Sequence, residues 1–236
     1  MQAIIEFFQA AGVFLLFLAA RFGLLLAVLA AIAVVFLAGL ALVRVAGRIR
    51  QRALGLARVE GLTWRRQVAY SPGHSWLQVR GDQSVRVGLD DLAQHLLSCV
   101  TEVTLPEPGQ ALEAGQACAT VRAGRRHAVI PAPVTGKVIA VNGRVRRNPS
   151  LLHSDPYASG WLYSIEPADA SHTRLPRGDE ARTWFGAEAL RFSRFIEHEL
   201  GMAAADGGEL VAPGPTLLDD PQWKSMTRSF LRTPTT

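Results

Sequence analysis

Two rules of hydrophobic placement operate along this chain. Residues 3–43 carry only Glu6 and Arg21 as charges, and residues 22–43 form an unbroken apolar run with no polar face. A helix rises 1.5 Å per residue, so about twenty such residues cross a hydrocarbon core about 30 Å thick. The pattern predicts a spanning helix over about 22–43 inside an anchor of residues 1–45. A secretory signal is the competing reading, but its apolar region is shorter and closes on small residues, whereas Val43 runs into Arg44-Val45-Ala46-Gly47-Arg48. Residues 4–20, rich in Ile, Phe and Leu, stay open between an extension of that helix, an interfacial helix, and one arm of a hairpin turning at Arg21-Phe22-Gly23.

After the apolar run the pattern changes twice. Residues 46–60 are rich in Arg, Leu and Ala without proline, which predicts a basic helix ending at Gly61 within a juxtamembrane linker of residues 46–69. From Tyr70, short β-type runs at 76–79, 84–87, 100–105, 117–121, 128–130 and 136–141 are broken by Gly and Pro, the texture of a compact β sandwich or barrel. Residues 90–98 are the helical exception, with Asp90 or Asp91 as N-cap. Beyond residue 169, Phe185, Ala189, Phe192, Ile196 and Leu200 recur at helical spacing opposite Glu188, Arg191, Arg194 and Glu197. After a Gly/Pro-rich stretch, Asp219-Asp220-Pro221 reads as an N-cap and first-turn proline for a second stripe of Trp223, Met226 and Phe230. A helix that short does not stand alone in water, so it docks in cis or in trans.

Charge adds orientation. Arg44, Arg48, Arg50, Arg52 and Arg58 follow the apolar run, and no Lys or Arg precedes Arg21. The positive-inside rule then sets a single-pass topology in the cytoplasmic membrane with the folded part in the cytoplasm. Arg44, Arg48, Arg50 and Arg52 are expected at the membrane surface, against anionic lipid headgroups. Arg21 is expected to snorkel to the far interface or to face a partner. The formal net charge is +5, yet no aromatic positions are interleaved with the arginines in the manner of a nucleic-acid platform. Cys99 and Cys118 have neither CxxC nor zinc spacing, the histidines lack ligand spacing, and the sequence has no nucleophile elbow, P-loop, dinucleotide fingerprint or HExxH. The expectation is a non-enzyme with no catalytic or metal-binding residues and no cofactor.

Several separated motifs carry a resemblance. They are YSPGHSW at 70–76, VGLDDLAQ at 87–94, LPEPG at 105–109, Gly115, PVTG at 133–136, Val141-Asn142, Asn148-Pro149, SDPY at 154–157 and GWL at 160–162. In this order and spacing, residues 70–169 resemble the H-protein of the glycine cleavage system. The resemblance implies a mainly β, barrel-sandwich hybrid fold of the lipoyl type, here with an N-terminal transmembrane helix and a helical extension over 170–236. It also implies a hairpin presenting a lipoylated lysine eight residues before the proline of the Pro-Val-Ser-Gly motif. Counting back from Pro133 lands on Arg125, and the chain's only lysines are Lys137 and Lys224. Guanidinium stays charged and delocalised, so it does not substitute for the amine that lipoylation acylates.

The expected role is a membrane-anchored accessory or assembly subunit of a larger membrane complex, respiratory or photosynthetic, with other integral subunits as partners. Arg122, Arg125, Arg126 and His127 at the hairpin, with Arg21, Trp223 and Phe230, are the candidate partner-binding residues. Two alternatives stay open: a lipoyl-type carrier modified at a displaced Lys137, and a membrane-surface scaffold whose Arg-rich hairpin recruits an acidic soluble protein.

Overall fold

The computed structural model describes the chain except residues 54, 200, 202–204, 207–208, 211–217 and 234–236. Side chains at 3–6, 8–10, 19, 20, 27, 48, 50–53, 205–206 and 209–210 also lie outside that description. It resolves into two units, residues 1–53 and residues 54–236.

The first unit is one helix, α1 (Gln2–Ala53), 52 residues long. It runs without interruption through Arg21-Phe22-Gly23, so the helical-hairpin alternative is not realised. Its segment Ala11–Gly47 is long and apolar enough to cross a membrane. Leu16, Val35, Leu42 and Val43 each expose 71–72% of their surface. The described apolar side chains of this helix are largely exposed, the pattern of a helix that lipid or another protein surrounds. Arg21 lies 4.5 Å over the Phe17 ring, one turn away on the same helix, and Arg44 is exposed. Arg48, Arg50 and Arg52 are helical, but their side chains fall outside the described set.

In the second unit, residues 56–60, expected to continue the basic helix up to Gly61, enter a hairpin instead, formed by β1 (Leu56–Val59) and β2 (Leu62–Arg65). Glu60 (φ 46°) and Gly61 (φ 79°) make the turn, and positive φ at both central positions matches the twist of paired strands. Local helix propensity loses here to burial: Leu62 and Trp64 are enclosed in the core. Tyr157 Oη donates to the Thr63 carbonyl at 2.9 Å, and Asp91 accepts from the Thr63 amide at 2.7 Å. Residues 56–65 of the expected linker are thus a bolted part of the domain, whereas residues 46–53 continue α1.

Strands β3 (Ala69–Tyr70), β4 (Ser75–Val79) and β5 (Val85–Leu89) follow, then α2 (Asp91–Leu97) with Asp90 as its N-cap. Next come β6 (Val100–Thr104), β7 (Ala111–Leu112), β8 (Ala117–Ala123), β9 (Arg126–Pro131) and β10 (Gly136–Val141). The short helices α3 (Gly143–Arg147) and α4 (Leu151–Ser154) lead to β11 (Trp161–Pro167). Six strands form one antiparallel sheet in the order β3-β4-β5-β11-β10-β7, and β6-β8-β9 form a second. Trp76 faces Gly88 across β4 and β5, and a Cβ on Gly88 would lie 2.4 Å from the indole, so glycine makes room for the buried ring.

The C-terminal part belongs to the same core. Helix α5 (Gly178–Glu199) buries Ala181, Phe185, Ala189, Phe192 and Ile196, the expected stripe apart from Leu200, which is outside the described residues. Helix α6 (Asp220–Met226) opens on a full capping box between Asp219 and Gln222 with proline in its first turn, and passes into a π-helical turn, Thr227–Leu231. Trp223, Met226, Phe230 and Leu231 join the buried cluster of the sheets.

Candidate functional site

The Arg-rich hairpin is built by β8 and β9 with a two-residue turn, Gly124-Arg125. Ala123 pairs with Arg126 and Arg122 with His127. Gly124 sits at φ 63°, the position a two-residue hairpin turn reserves for glycine. Side chains alternate across the strands, so the four cationic candidates do not form one knob. Arg122 is exposed and bonds Glu102 of β6 at 3.0 Å. Arg125 projects at the turn and makes no ion pair among the described residues. His127 is exposed beside Arg122, lining a small cleft with Glu102, Thr104 and Thr120.

Arg126 turns the other way and is held by the chain itself. Its guanidinium donates to Asp220 at 2.7 Å and to the Leu218 carbonyl, and lies 5.8 Å over the Trp223 ring. Trp223 Nε1 donates to the His127 carbonyl at 3.0 Å, and Thr233 Oγ1 to the Val129 carbonyl at 3.1 Å. Residues 218–233 therefore lie along β9, the edge strand of the three-stranded sheet. Two expected partner-binding residues are corrected by this. Trp223 is 5% and Phe230 1% exposed, so both rings are spent inside their own domain, because the nearest apolar surface for a short amphipathic helix was the sheet edge beside it.

A second polar centre was not expected. His74 is wholly buried, with Nδ1 2.9 Å from Asp90 and Nε2 3.3 Å from Glu188. It holds φ 55° in the turn that joins β3 to β4, a left-handed backbone uncommon outside glycine that histidine tolerates better than most side chains, and its ring is bonded to Asp90. Burial by itself would push the imidazole toward neutrality, but the Asp90 carboxylate, and after it Glu188, raise its pKa to about 9. Burial would likewise raise Glu188; hydrogen bonds from His74 and Arg191 hold it below the usual carboxylate range instead. Arg191 forks onto Glu188, donates to the Ser229 carbonyl at 3.2 Å and covers the Phe230 ring at 4.2 Å. The relay runs from the His-x-Trp turn through α5 to the π-helical turn. Glu188 reads as a solvent-face residue in the helical pattern, and only its position opposite His74 reveals its role.

The other titratable groups give no reactive constellation. Burial pushes the Cys118 thiol up to about 11, which removes thiolate character near neutrality. His153 is pushed down, first by burial and then by His95, across a surface groove that Cys99 and Asp91 also line. Among the described residues no three His, Cys, Asp or Glu side chains are grouped to hold a metal.

Residues 68–183 match the family model described as glycine cleavage H-protein. Over 104 residues the chain is 42% identical to the glycine cleavage system H protein of Mycolicibacterium gilvum, covering 44% of this chain and 79% of that relative. The chain belongs to the glycine cleavage H-protein family. The H protein of Escherichia coli K12 is 38% identical over 105 residues, 44% of this chain and 81% of its own. A crystal structure of the H protein from Mycobacterium marinum superposes with a TM-score of 0.47 at 30% identity, covering 52% of this chain and 99% of that one. H-protein family members are lipoyl carriers rather than catalysts. Residues 117–131, which form β8, the turn and β9, contain no lysine. Lys137 lies on β10, in register with Glu166 and Ala111 in the middle of a sheet, and Lys224 lies on α6.

Proposed function

We propose that this chain is a non-catalytic accessory subunit, anchored in the cytoplasmic membrane by α1, in which an H-protein domain serves protein assembly instead of lipoyl transfer. On this reading the domain is a barrel-sandwich hybrid, and Arg125 stands where family members carry the lipoyl lysine. The observation that carries it is the hairpin turn Gly124-Arg125: a two-residue turn between β8 and β9 that offers a guanidinium no acyl transfer can load. The apolar, fully exposed α1 supports the membrane location. Arg21, whose contact among the described residues is its own Phe17, supports a neighbouring integral subunit. The proposed host is a respiratory or photosynthetic electron-transfer assembly, in which the domain braces larger subunits.

The test is intact-mass analysis of the protein extracted from its native membranes in mild detergent, with co-purifying subunits identified in the same sample. The expected result is an unmodified mass and stoichiometric integral-membrane partners. A lipoyl increment on Lys137 would replace this reading with that of a displaced carrier. A lone, unmodified monomer would end the accessory-subunit assignment.

A further inference from the structure

The segment 218–233 has two faces, and only the inner one is accounted for. Trp223, Met226, Phe230 and Leu231 are buried. Lys224 on α6, Arg228 in the π-helical turn and Arg232 at its left-handed cap are all exposed. The acids nearby are already engaged: Asp220 by Arg126, and Asp219 by the amide of Gln222 as N-cap. Trp223 bonds the hairpin at His127, two residues from Arg125, so this segment starts beside the turn that carries Arg125. None of the four cations makes an ion pair among the described residues. After residue 53 the chain holds twenty Lys and Arg against nineteen Asp and Glu, so this is local segregation in a nearly neutral domain.

We propose that Lys224, Arg228 and Arg232, joined by Arg125, form a docking face for the anionic headgroups of the bilayer that α1 enters. The inference rests on the membrane reading of α1 and goes beyond it by giving the folded domain its own lipid contact. Headgroup attraction needs only charge, and each Lys or Arg near an anionic leaflet multiplies the docked population about fivefold. A protein interface would call for a desolvated apolar or aromatic centre. Among the described residues, the exposed large hydrophobic side chains of the domain are Val79, Ile139 and Leu190, none of them on the hairpin or on 218–233. Only residues 54 and 55 separate α1 from β1, so the tether keeps headgroups at high effective concentration.

The chain carries its own probe, because Lys224 and Lys137 are its only lysines. The full-length protein is reconstituted into vesicles of phosphatidylcholine alone or with about one-third phosphatidylglycerol, and amine acetylation rates at the two lysines are read by peptide mass spectrometry. Native membranes are treated in parallel. The expected result is Lys224 labelling slowed about tenfold or more in the anionic vesicles, with Lys137 unchanged and protection lost in high salt. Arg228→Gln with Arg232→Asn should restore most of the rate; asparagine tolerates the left-handed backbone at 232, and unchanged tryptophan fluorescence verifies the fold. Equal Lys224 rates in both vesicles would overturn the proposal, and protection in native membranes alone would assign the face to an acidic protein. Flotation with anionic but not neutral vesicles, abolished by the double variant, would keep the lipid face while ending the membrane-spanning role of α1.

Discussion

Residues 218–233 are fixed to the H-protein frame at two places that use charge in opposite ways. At the hairpin, Arg126 meets Asp220 with side chains 18% and 85% exposed, so water solvates much of the pair whether or not it forms. At the His74 centre the imidazole and Asp90 are both fully enclosed, and Glu188 is 15% exposed. Exposed ion pairs contribute little, whereas removing one member of a buried set strands the others without solvent. The outer clamp therefore sets where the segment lies, and the inner relay sets what its loss would cost.

The largest effect is expected from His74→Ala, which leaves two carboxylates facing a void: about 3–5 kcal/mol of stability lost in urea unfolding of the detergent-solubilised chain. Phe230→Ala follows closely, at about 3–4 kcal/mol, because its ring packs edge-on to Phe192 at 5.2 Å and Phe195 at 5.5 Å under Arg191. The His74 contribution also has a pH signature. A folded pKa of about 9 against an ordinary value of 6.5 means the stabilisation is complete below about pH 6.5 and is lost as pH rises through 9. Unfolding midpoints should fall between pH 7 and pH 9.5 in the parent chain, and His74→Gln should flatten that slope; parallel slopes would remove the imidazolium from the account. Arg126→Ala should cost only about 1 kcal/mol while speeding amide exchange in 126–131 and 218–231. Arg125→Glu, at a solvated turn, should change stability by less than about 0.5 kcal/mol.

The same contrast separates what could be read along the chain from what could not. The helix of α5 and the start of α6 were legible because spacing of apolar residues and the Asp219-Asp220-Pro221 cap are local signals. The motif order of 70–169 pointed to the family that the comparisons found. The helix expected over 46–60 stops at Ala53 and gives way to β1 at 56–59: Arg, Leu and Ala favour helix locally, whereas the deciding facts are the turn at Glu60-Gly61 and the burial of Trp64. An amphipathic stripe announces a buried face without naming the surface that buries it, so Trp223 and Phe230 gave no sign of docking in cis. The His74 relay joins positions 114 residues apart, beyond the reach of any local pattern.

The contacts that seal β9 span 92 to 104 residues of chain. Loops of that length close late, after the local hairpins of both sheets have formed. Until then β9 presents a bare row of amides and carbonyls beside a cationic turn. Maturation of this domain is consequently a race between its own distant segment and any other strand for one open edge. Whatever slows that closure lengthens the interval in which two copies of the chain can pair wrongly.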